Sequence, residues 1–233
     1  MSRLGLLLQV WPSDRHTRAI DAERALRAPL PVVRRVGFAA LRGGTGCSTA
    51  ATGVAAALTA RRDRETLLVD AADDELRSAE TPGSRTEVQV VPSPVWPGGI
   101  DRWRTHCEER HRAHEITLTD WGTLDPSALS AVAAHSHVLC LATTVERAAV
   151  QQALDTASVL IEAGTPTVLV ASAVRGWVTP ATRRMLASAP VPILTLPHDR
   201  GPDRSGATAL ALSLLSAEIV RLCGRPHGET RVS

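Results

Sequence analysis

The chain has 233 residues and a formal charge of +2, from 26 basic and 24 acidic side chains spread along its length. No long-range field therefore favours nucleic acid or an anionic membrane, and the charge balance identifies no partner. The length and a hydrophobic content of 44% suit one domain with a full core. All basic side chains are Arg, and neither Lys nor Asn occurs, which a GC-rich coding sequence would also explain.

The first 30 residues read as an extension to the rest of the chain. Residues 4–10 are apolar, but the run is too short to span a membrane and has no small-residue cleavage site, so we predict a strand. A helix is predicted around residues 15–27, ended by two prolines. We therefore divide the chain into an extension, residues 1–30, and a main domain, residues 31–233. The extension either packs on the sheet edge or contacts a partner.

Short apolar runs bounded by turn residues recur along the main domain. Several are continuous in Val, Leu and Ile, which is typical of strands covered on both faces by helices. The predicted strands are residues 36–41, 66–70, 88–91, 116–120, 138–142, 167–171 and 193–196. The predicted helices are residues 48–61, 146–163 and 207–222. This alternation predicts an α/β fold, a doubly wound and mainly parallel sheet with helices on both faces and ligands at the carboxyl ends of its strands.

The four cysteines, Cys47, Cys107, Cys140 and Cys223, lie far apart and form no Cys-x-x-Cys pair. They indicate neither a zinc site nor a disulfide framework, so we predict a cytoplasmic protein with reduced thiols. The C-terminal helix has no basic amphipathic face, and we predict no transmembrane segment and no membrane anchor.

Three histidines, His106, His111 and His114, fall on a charged helix that we expect to be solvated, and they lack metal-ligand spacing. Arginine pairs at 61–62 and 183–184, with an arginine at 64, are also typical of solvated faces. We consider DNA binding through these arginines the weakest hypothesis, and nucleic acid is not an expected partner.

A glycine-rich loop, Arg42-Gly43-Gly44-Thr45-Gly46-Cys47-Ser48-Thr49, follows a predicted strand and opens a predicted helix. That context is the one a phosphate-binding loop requires. Glycines allow the tight turn and the close approach of backbone amides to phosphate oxygens, and the helix N-terminus adds partial positive charge.

The loop resembles the deviant Walker A motif of the MinD/ParA family of P-loop ATPases, of the SIMIBI class. The resemblance continues through four later segments, residues 67–70, 115–122, 137–143 and 190–199. It implies a P-loop NTPase-like fold and a site in which Arg42, Gly43, Gly44, Thr45, Gly46, Cys47, Ser48, Thr49, Asp70 and Asp120 contact ATP or ADP. If a magnesium nucleotide binds, the resemblance assigns the metal to Ser48 and Asp120.

The chain departs from the family pattern at several positions. Cys47 replaces the lysine that reaches the β- and γ-phosphates, and Arg42 replaces the signature lysine. The switch strand ends in Asp70 without the usual second carboxylate two residues later, and Asp73 could replace it only in a reshaped turn. Adenine is commonly read by an Asn where this chain has Ser172. Losses in phosphate, water and base contacts all fall in one site, which favours decay of the ATPase activity.

Two residues of the loop have alternative interpretations. Ser48 either coordinates Mg²⁺ or caps the helix. Cys47, at a helix N-terminus, could also carry a lowered pKa and act as a reactive thiol, although the sequence places no certain base beside it.

Our main hypothesis is a pseudo-ATPase that hydrolyses ATP weakly or not at all and serves as an interaction or regulatory scaffold. We expect no cofactor, although ATP or ADP with Mg²⁺ is possible. Its partner would be a protein, either a second copy of the chain or an intact MinD/ParA-like relative. The resemblance extends this to secretion or cell-envelope and division machinery, including actinobacterial type VII secretion. The rival hypothesis is a slow ATPase switch that dimerises on ATP.

Overall fold

A computed structural model describes residues 12–30, 33–64, 66–72, 86–90, 100–173, 178–197 and 205–225. The strand predicted at residues 4–10 and the alternative carboxylate Asp73 lie outside these residues. The described strands are β1 (Arg34–Ala40), β2 (Thr66–Asp70), β3 (Thr86–Val90), β4 (Ile116–Thr123), β5 (Val138–Thr144), β6 (Thr167–Ser172) and β7 (Ile193–Leu196). The described helices are α1 (Pro12–Leu26), α2 (Cys47–Thr59), α3 (Ile100–Ala113), α4 (Pro126–Ala134), α5 (Arg147–Glu162), α6 (Pro180–Ser188) and α7 (Gly206–Cys223).

The seven strands form one sheet in the order β3-β2-β4-β1-β5-β6-β7, and every neighbouring pair is parallel. Strand order reverses on either side of β1, as in a doubly wound sheet, and the predicted fold class is confirmed. β1, β4 and β5 are central and almost wholly buried because helices cover both faces.

Two apolar layers pack on the two faces of the sheet. One joins α1, α2 and α7 to the sheet, and the other joins α3, α4, α5 and α6 to its opposite face. Helices α4 and α6 were not predicted from the sequence. Both are nine residues long and begin with proline after a capping side chain, Asp125 for α4 and Thr179 for α6.

Helix α1 belongs to the predicted extension and packs into the main core. Ala22 and Leu26 are buried in the layer that contains α2 and α7. Arg221 at the end of α7 donates a hydrogen bond to the carbonyl of Asp21, 3.4 Å away. The extension thus packs on the sheet domain along α1, while the division at residue 30 stays a prediction.

Helix α7 is long and apolar enough, by length and composition, to cross a membrane, with a mean hydropathy of 1.5. Half of it is buried inside the fold, and core helices of soluble proteins can have the same length and composition. Arg34, at the start of β1, donates from Nε to the carbonyl of Cys223 over 2.7 Å and so caps the end of α7.

Candidate functional site

The glycine loop connects the carboxyl end of β1 to the first turn of α2. Gly44 and Gly46 have φ angles of +73° and +80°, which a residue with a side chain rarely adopts. Gly46 is the N-cap, and the first intrahelical bond runs from the Ala50 amide to its carbonyl. The amides of residues 47–49 therefore have no acceptor within the helix and are open to an anion.

Three neighbouring strands bring the predicted site residues together. β4 lies between β1 and β2, and its Asp120 pairs in register with Asp70 of β2 and with Phe38 of β1. The loop residues follow β1 directly. The residues that the resemblance assigns to the nucleotide therefore lie together at the carboxyl end of the sheet.

The side chain of Cys47 points toward the strand carboxylate. Its Sγ donates a hydrogen bond to Asp120 Oδ1 at 3.5 Å, and both residues are buried, with 7% and 5% of their surfaces exposed. The position that the family gives to a lysine therefore holds a neutral thiol. This thiol is hydrogen-bonded to Asp120, the carboxylate to which the resemblance assigns magnesium.

The thiol of Cys47 is held in its protonated form. Burial raises its pKa well above the usual range, and the negative charge of Asp120 raises it further. A reactive, low-pKa thiolate at this helix N-terminus, the alternative suggested by the sequence, is therefore wrong.

The carboxylates of Asp120 and Asp70 also stabilise the turns that follow their strands. Asp120 Oδ1 accepts from the amide of Gly122 at 3.0 Å, and Asp70 Oδ1 accepts from the amide of Ala72 at 3.1 Å. Gly122 has φ +63°, and a Cβ there would lie 3.0 Å from the Cβ of Ala72. The two turns are packed against each other, and Oδ1 of Asp120 accepts from both a thiol and an amide.

The remaining loop residues differ in exposure. Thr45 is buried, Ser48 is half-buried, and Arg42 and Thr49 are exposed. Ser48 is the second residue of α2, and the N-cap is Gly46, which has no side-chain cap. The capping role considered for Ser48 is therefore wrong.

The structure places two hydroxyl groups beside the glycine loop, and neither was predicted to lie there. A Cβ at Gly46 would lie 3.0 Å from Oγ of Ser172, and a Cβ at Gly43 would lie 3.9 Å from Oγ1 of Thr123. Both residues end strands whose carboxyl ends flank the loop, which is the only signal that could have found them. Ser172, considered at first only as a replacement for an adenine-reading Asn, packs against the glycine loop itself.

The residues fit a phosphate group held by main-chain amides but not the cation-assisted part of the family pattern. The positive-φ glycines and the free amides of α2 form an anion cradle. A buried neutral thiol replaces the lysine, and the sequence contains no other Lys to reach the phosphates. Within the described residues, no three His, Cys, Asp or Glu side chains cluster to hold a metal ion.

The histidines of α3 do not lie on a solvated face, contrary to the sequence-based expectation. His111 and, just after the helix, His114 are buried, and the ring of His111 lies 5.1 Å from that of the buried Trp103. Burial, together with the positive charge of Arg35, lowers the pKa of His111 from 6.5 to about 4. The side chain of His106 lies outside the described ones.

Arg61 and Arg62 are engaged within the fold. Arg62 is buried and forms a two-pronged ion pair with Glu115, at 2.9 and 3.1 Å. Arg61 donates to Glu23 of α1 at 2.9 Å. These arginines hold the structure together and do not present the open row of cations that the DNA hypothesis needs.

The sequence matches no family model and no curated protein. The structure resembles that of septum site-determining protein MinD with Mg-ADP from Pyrococcus horikoshii OT3, at 18% identity and a TM-score of 0.59, over 82% of this chain and 97% of that chain. It also resembles the MinC:MinD cell division complex of Aquifex aeolicus, at 14% identity and a TM-score of 0.60, over 83% and 97% of the two chains.

A third match is a ParA family ATPase from Chlorobium tepidum TLS, at 20% identity and a TM-score of 0.51, over 81% of this chain and 90% of that chain. The chain therefore has the fold of the MinD and ParA family ATPases, as the resemblance of the loop predicted. At these identities the likeness establishes the fold alone.

Proposed function

We propose that this protein is a catalytically degenerate MinD/ParA-like pseudo-ATPase that acts as a protein-interaction or regulatory scaffold. One observation carries the proposal: Cys47 stands at the position that the resemblance gives to the phosphate-binding lysine, and its buried thiol donates a hydrogen bond to Asp120, the carboxylate to which the resemblance assigns magnesium. The resemblance gives both positions their roles in ATP hydrolysis, and here they engage each other.

The energetic argument is one of lost charge. A hydrogen bond to a charged group contributes roughly 1.5–3 kcal/mol, so replacing a lysine with a thiol weakens triphosphate binding by at least about tenfold. The loss is larger in the transition state, where negative charge develops on the phosphoryl oxygens. Cys47 supplies no positive charge in its place, because a thiol has no cationic form and the raised pKa keeps it neutral.

A scaffold needs a partner, and the fold offers a precedent. The MinD of Aquifex aeolicus is complexed with MinC. We propose a protein partner here too, either a second copy of this chain or an intact MinD/ParA-like relative, in the cytoplasm and in a secretion, cell-envelope or division setting.

Calorimetry with Mg-ATP tests the proposal on three proteins. The parent should bind weakly and show no turnover. Cys47→Lys should bind at least about tenfold more tightly, because a cation returns beside the cradle and Asp120. Cys47→Met, which has a similar reach and no charge, should behave as the parent. Micromolar binding with measurable turnover by the parent would refute the pseudo-ATPase.

A second candidate is the slow ATP-dependent switch, favoured by the preserved cradle: positive-φ Gly44 and Gly46, exposed Arg42 and half-buried Ser48. The MinD of Pyrococcus horikoshii is complexed with Mg-ADP. This candidate predicts that the dimer fraction in sedimentation rises with Mg-ATP. A monomer-to-dimer ratio that is the same with and without Mg-ATP argues against the switch and for the scaffold.

A further inference from the structure

A concave basic pocket lies at the opposite end of the sheet from the glycine loop. It has a volume of about 470 Å³ and is formed where α1 and α2 end and β4 begins. Its lining residues are Arg27, Pro29, Thr59, Ala60, Arg61, Arg62, Asp63, Arg64 and Glu115. We call this the basic pocket.

Two carboxylates at the basic pocket, those of Glu115 and Glu23, are bonded to arginines. Both oxygens of Glu115 accept from Arg62. Both oxygens of Glu23, beside the pocket on α1, accept from Arg27 and Arg61, and these bonds lower the pKa of Glu23, Arg61 contributing most. Their negative charge is thus neutralised by partners within the fold.

The helix ends that face the basic pocket are satisfied as well. Arg62 Nη1 donates to the carbonyls of Leu26 and Ala28 at 2.6 and 2.9 Å. Arg61 Nη1 donates to the carbonyl of Ala57 at 3.2 Å. The negative ends of α1 and α2 are therefore largely covered by guanidinium groups.

What remains uncommitted is a set of hydrogen-bond donors. Within the described part of the chain, Nη1 of Arg27, Nη2 of Arg61 and the guanidinium of exposed Arg64 have no hydrogen-bond partner. Asp63, exposed at the rim, is the one acidic lining residue without a bond to these arginines. The surplus of donors calls for a ligand rich in anionic oxygens.

We propose that the basic pocket binds a small phosphorylated compound. Guanidinium groups match phosphate oxygens in geometry and remain charged at all physiological pH values. The volume lies in the range of small-ligand sites, roughly 300–1,000 Å³, and the concave shape suits a compact polyanion better than a nucleic-acid duplex. The ligand would contact Arg27 of the extension and both Arg61 and Arg64 of the main domain. It would therefore stabilise the packing of the extension on the main domain.

Inorganic pyrophosphate is the probe, titrated calorimetrically into the full chain at low salt. We expect saturable 1:1 binding that weakens at least about tenfold in Arg64→Gln and in Arg27→Gln, since each removes a charge-assisted contact. Arg64 is exposed and lies outside the internal ion pairs, so Arg64→Gln keeps the fold, which a thermal melt verifies. Arg183→Gln, an exposed arginine on α6, is the matched control and should leave the affinity unchanged.

Because the glycine loop is also a candidate anion site, Arg42→Gln separates the two ends of the sheet. Affinity that falls in Arg42→Gln and not in Arg64→Gln would place the anion at the loop and overturn the proposal. So would the absence of saturation, an equal loss in Arg183→Gln, or a DNA duplex that displaces pyrophosphate with an affinity that grows with duplex length. None of these outcomes depends on whether the protein hydrolyses ATP.

Discussion

The two ends of the sheet treat charge in opposite ways. At the carboxyl end, where the resemblance places a phosphate and its lysine, a buried Cys47 thiol faces Asp120. At the amino end, the buried guanidinium of Arg62 holds Glu115 and the last carbonyl of α1. The guanidinium at the amino end holds the fold together, whereas the position that the resemblance gives to a phosphate-binding lysine holds a neutral thiol.

The largest expected effect comes from Arg62→Met. It leaves Glu115, whose side chain is 15% exposed, without its partner and uncaps two carbonyls. Breaking a buried pair from one side costs about 3–5 kcal/mol, and we expect that loss in urea denaturation. The double variant Arg62→Met/Glu115→Met should recover a large part of it. Equal stabilities of the parent and the single variant would show that the pair contributes nothing.

His111 belongs to the same amino end and makes stability depend on pH. Its folded pKa of about 4 lies below the unfolded value of 6.5, so the unfolded chain binds the extra proton between these limits. Its contribution is fully present above pH 6.5 and is lost as the pH falls toward 4, by roughly 3 kcal/mol at most. His111→Phe, which keeps an aromatic ring packed against Trp103, should flatten this part of the stability profile. A profile identical to that of the parent would remove His111 as the cause.

At the carboxyl end, backbone geometry should matter more than charge. Gly44→Ala and Gly46→Ala each place a side chain at positive φ, at a cost of about 1–2 kcal/mol. A Cβ at Gly46 additionally meets Ser172 Oγ at 3.0 Å, whereas a Cβ at Gly44 has nothing within 4 Å. Thermal unfolding should therefore rank Gly46→Ala below Gly44→Ala. The reverse order would mean that Ser172 does not pack on the loop.

The smallest effect should come from Glu23→Gln at the amino end. Glu23 pairs with both Arg27 and Arg61, but its side chain is 40% exposed, and exposed pairs contribute about 0.2–1 kcal/mol. Because these pairs lower the folded pKa of Glu23, the contribution is present above its unfolded pKa and is lost on acidification. Urea denaturation at neutral pH and near pH 3 measures it. A loss as large as that of Arg62→Met would show that burial is not what separates the two ion pairs.

Much of the fold could be predicted because local patterns and long-range packing agree. β2 has the predicted limits, Thr66 and Asp70, because its apolar residues 67–69 are buried between helices and the run stops at a polar residue on each side. α4 and α6 were missed because nine residues carry too few apolar turns for periodicity. Their capping residues and first-turn prolines were nevertheless visible in the sequence.

The errors concern which face a residue presents. Trp103, Cys107 and His111 are four residues apart and share one buried face of α3, while the charged residues between them dominate its composition. The bond from Cys47 to Asp120 depends on the direction of one side chain and the register of two strands, and no local pattern encodes either. The resemblance named Cys47 and Asp120 as site residues but could not show that the thiol points toward the carboxylate.

Helix α2 runs from the carboxyl end of the sheet to its amino end. Its 13 residues make a rod about 20 Å long that starts at the glycine loop and ends beside the arginines that grip α1. Because α2 is rigid, a movement of its first turn is expected to move its last turn as well. We therefore expect a ligand that binds in the glycine loop to change how tightly α1 is held. Amide hydrogen-exchange rates in α1 measure this coupling. Rates that stay the same when the loop is occupied would show that α2 does not move.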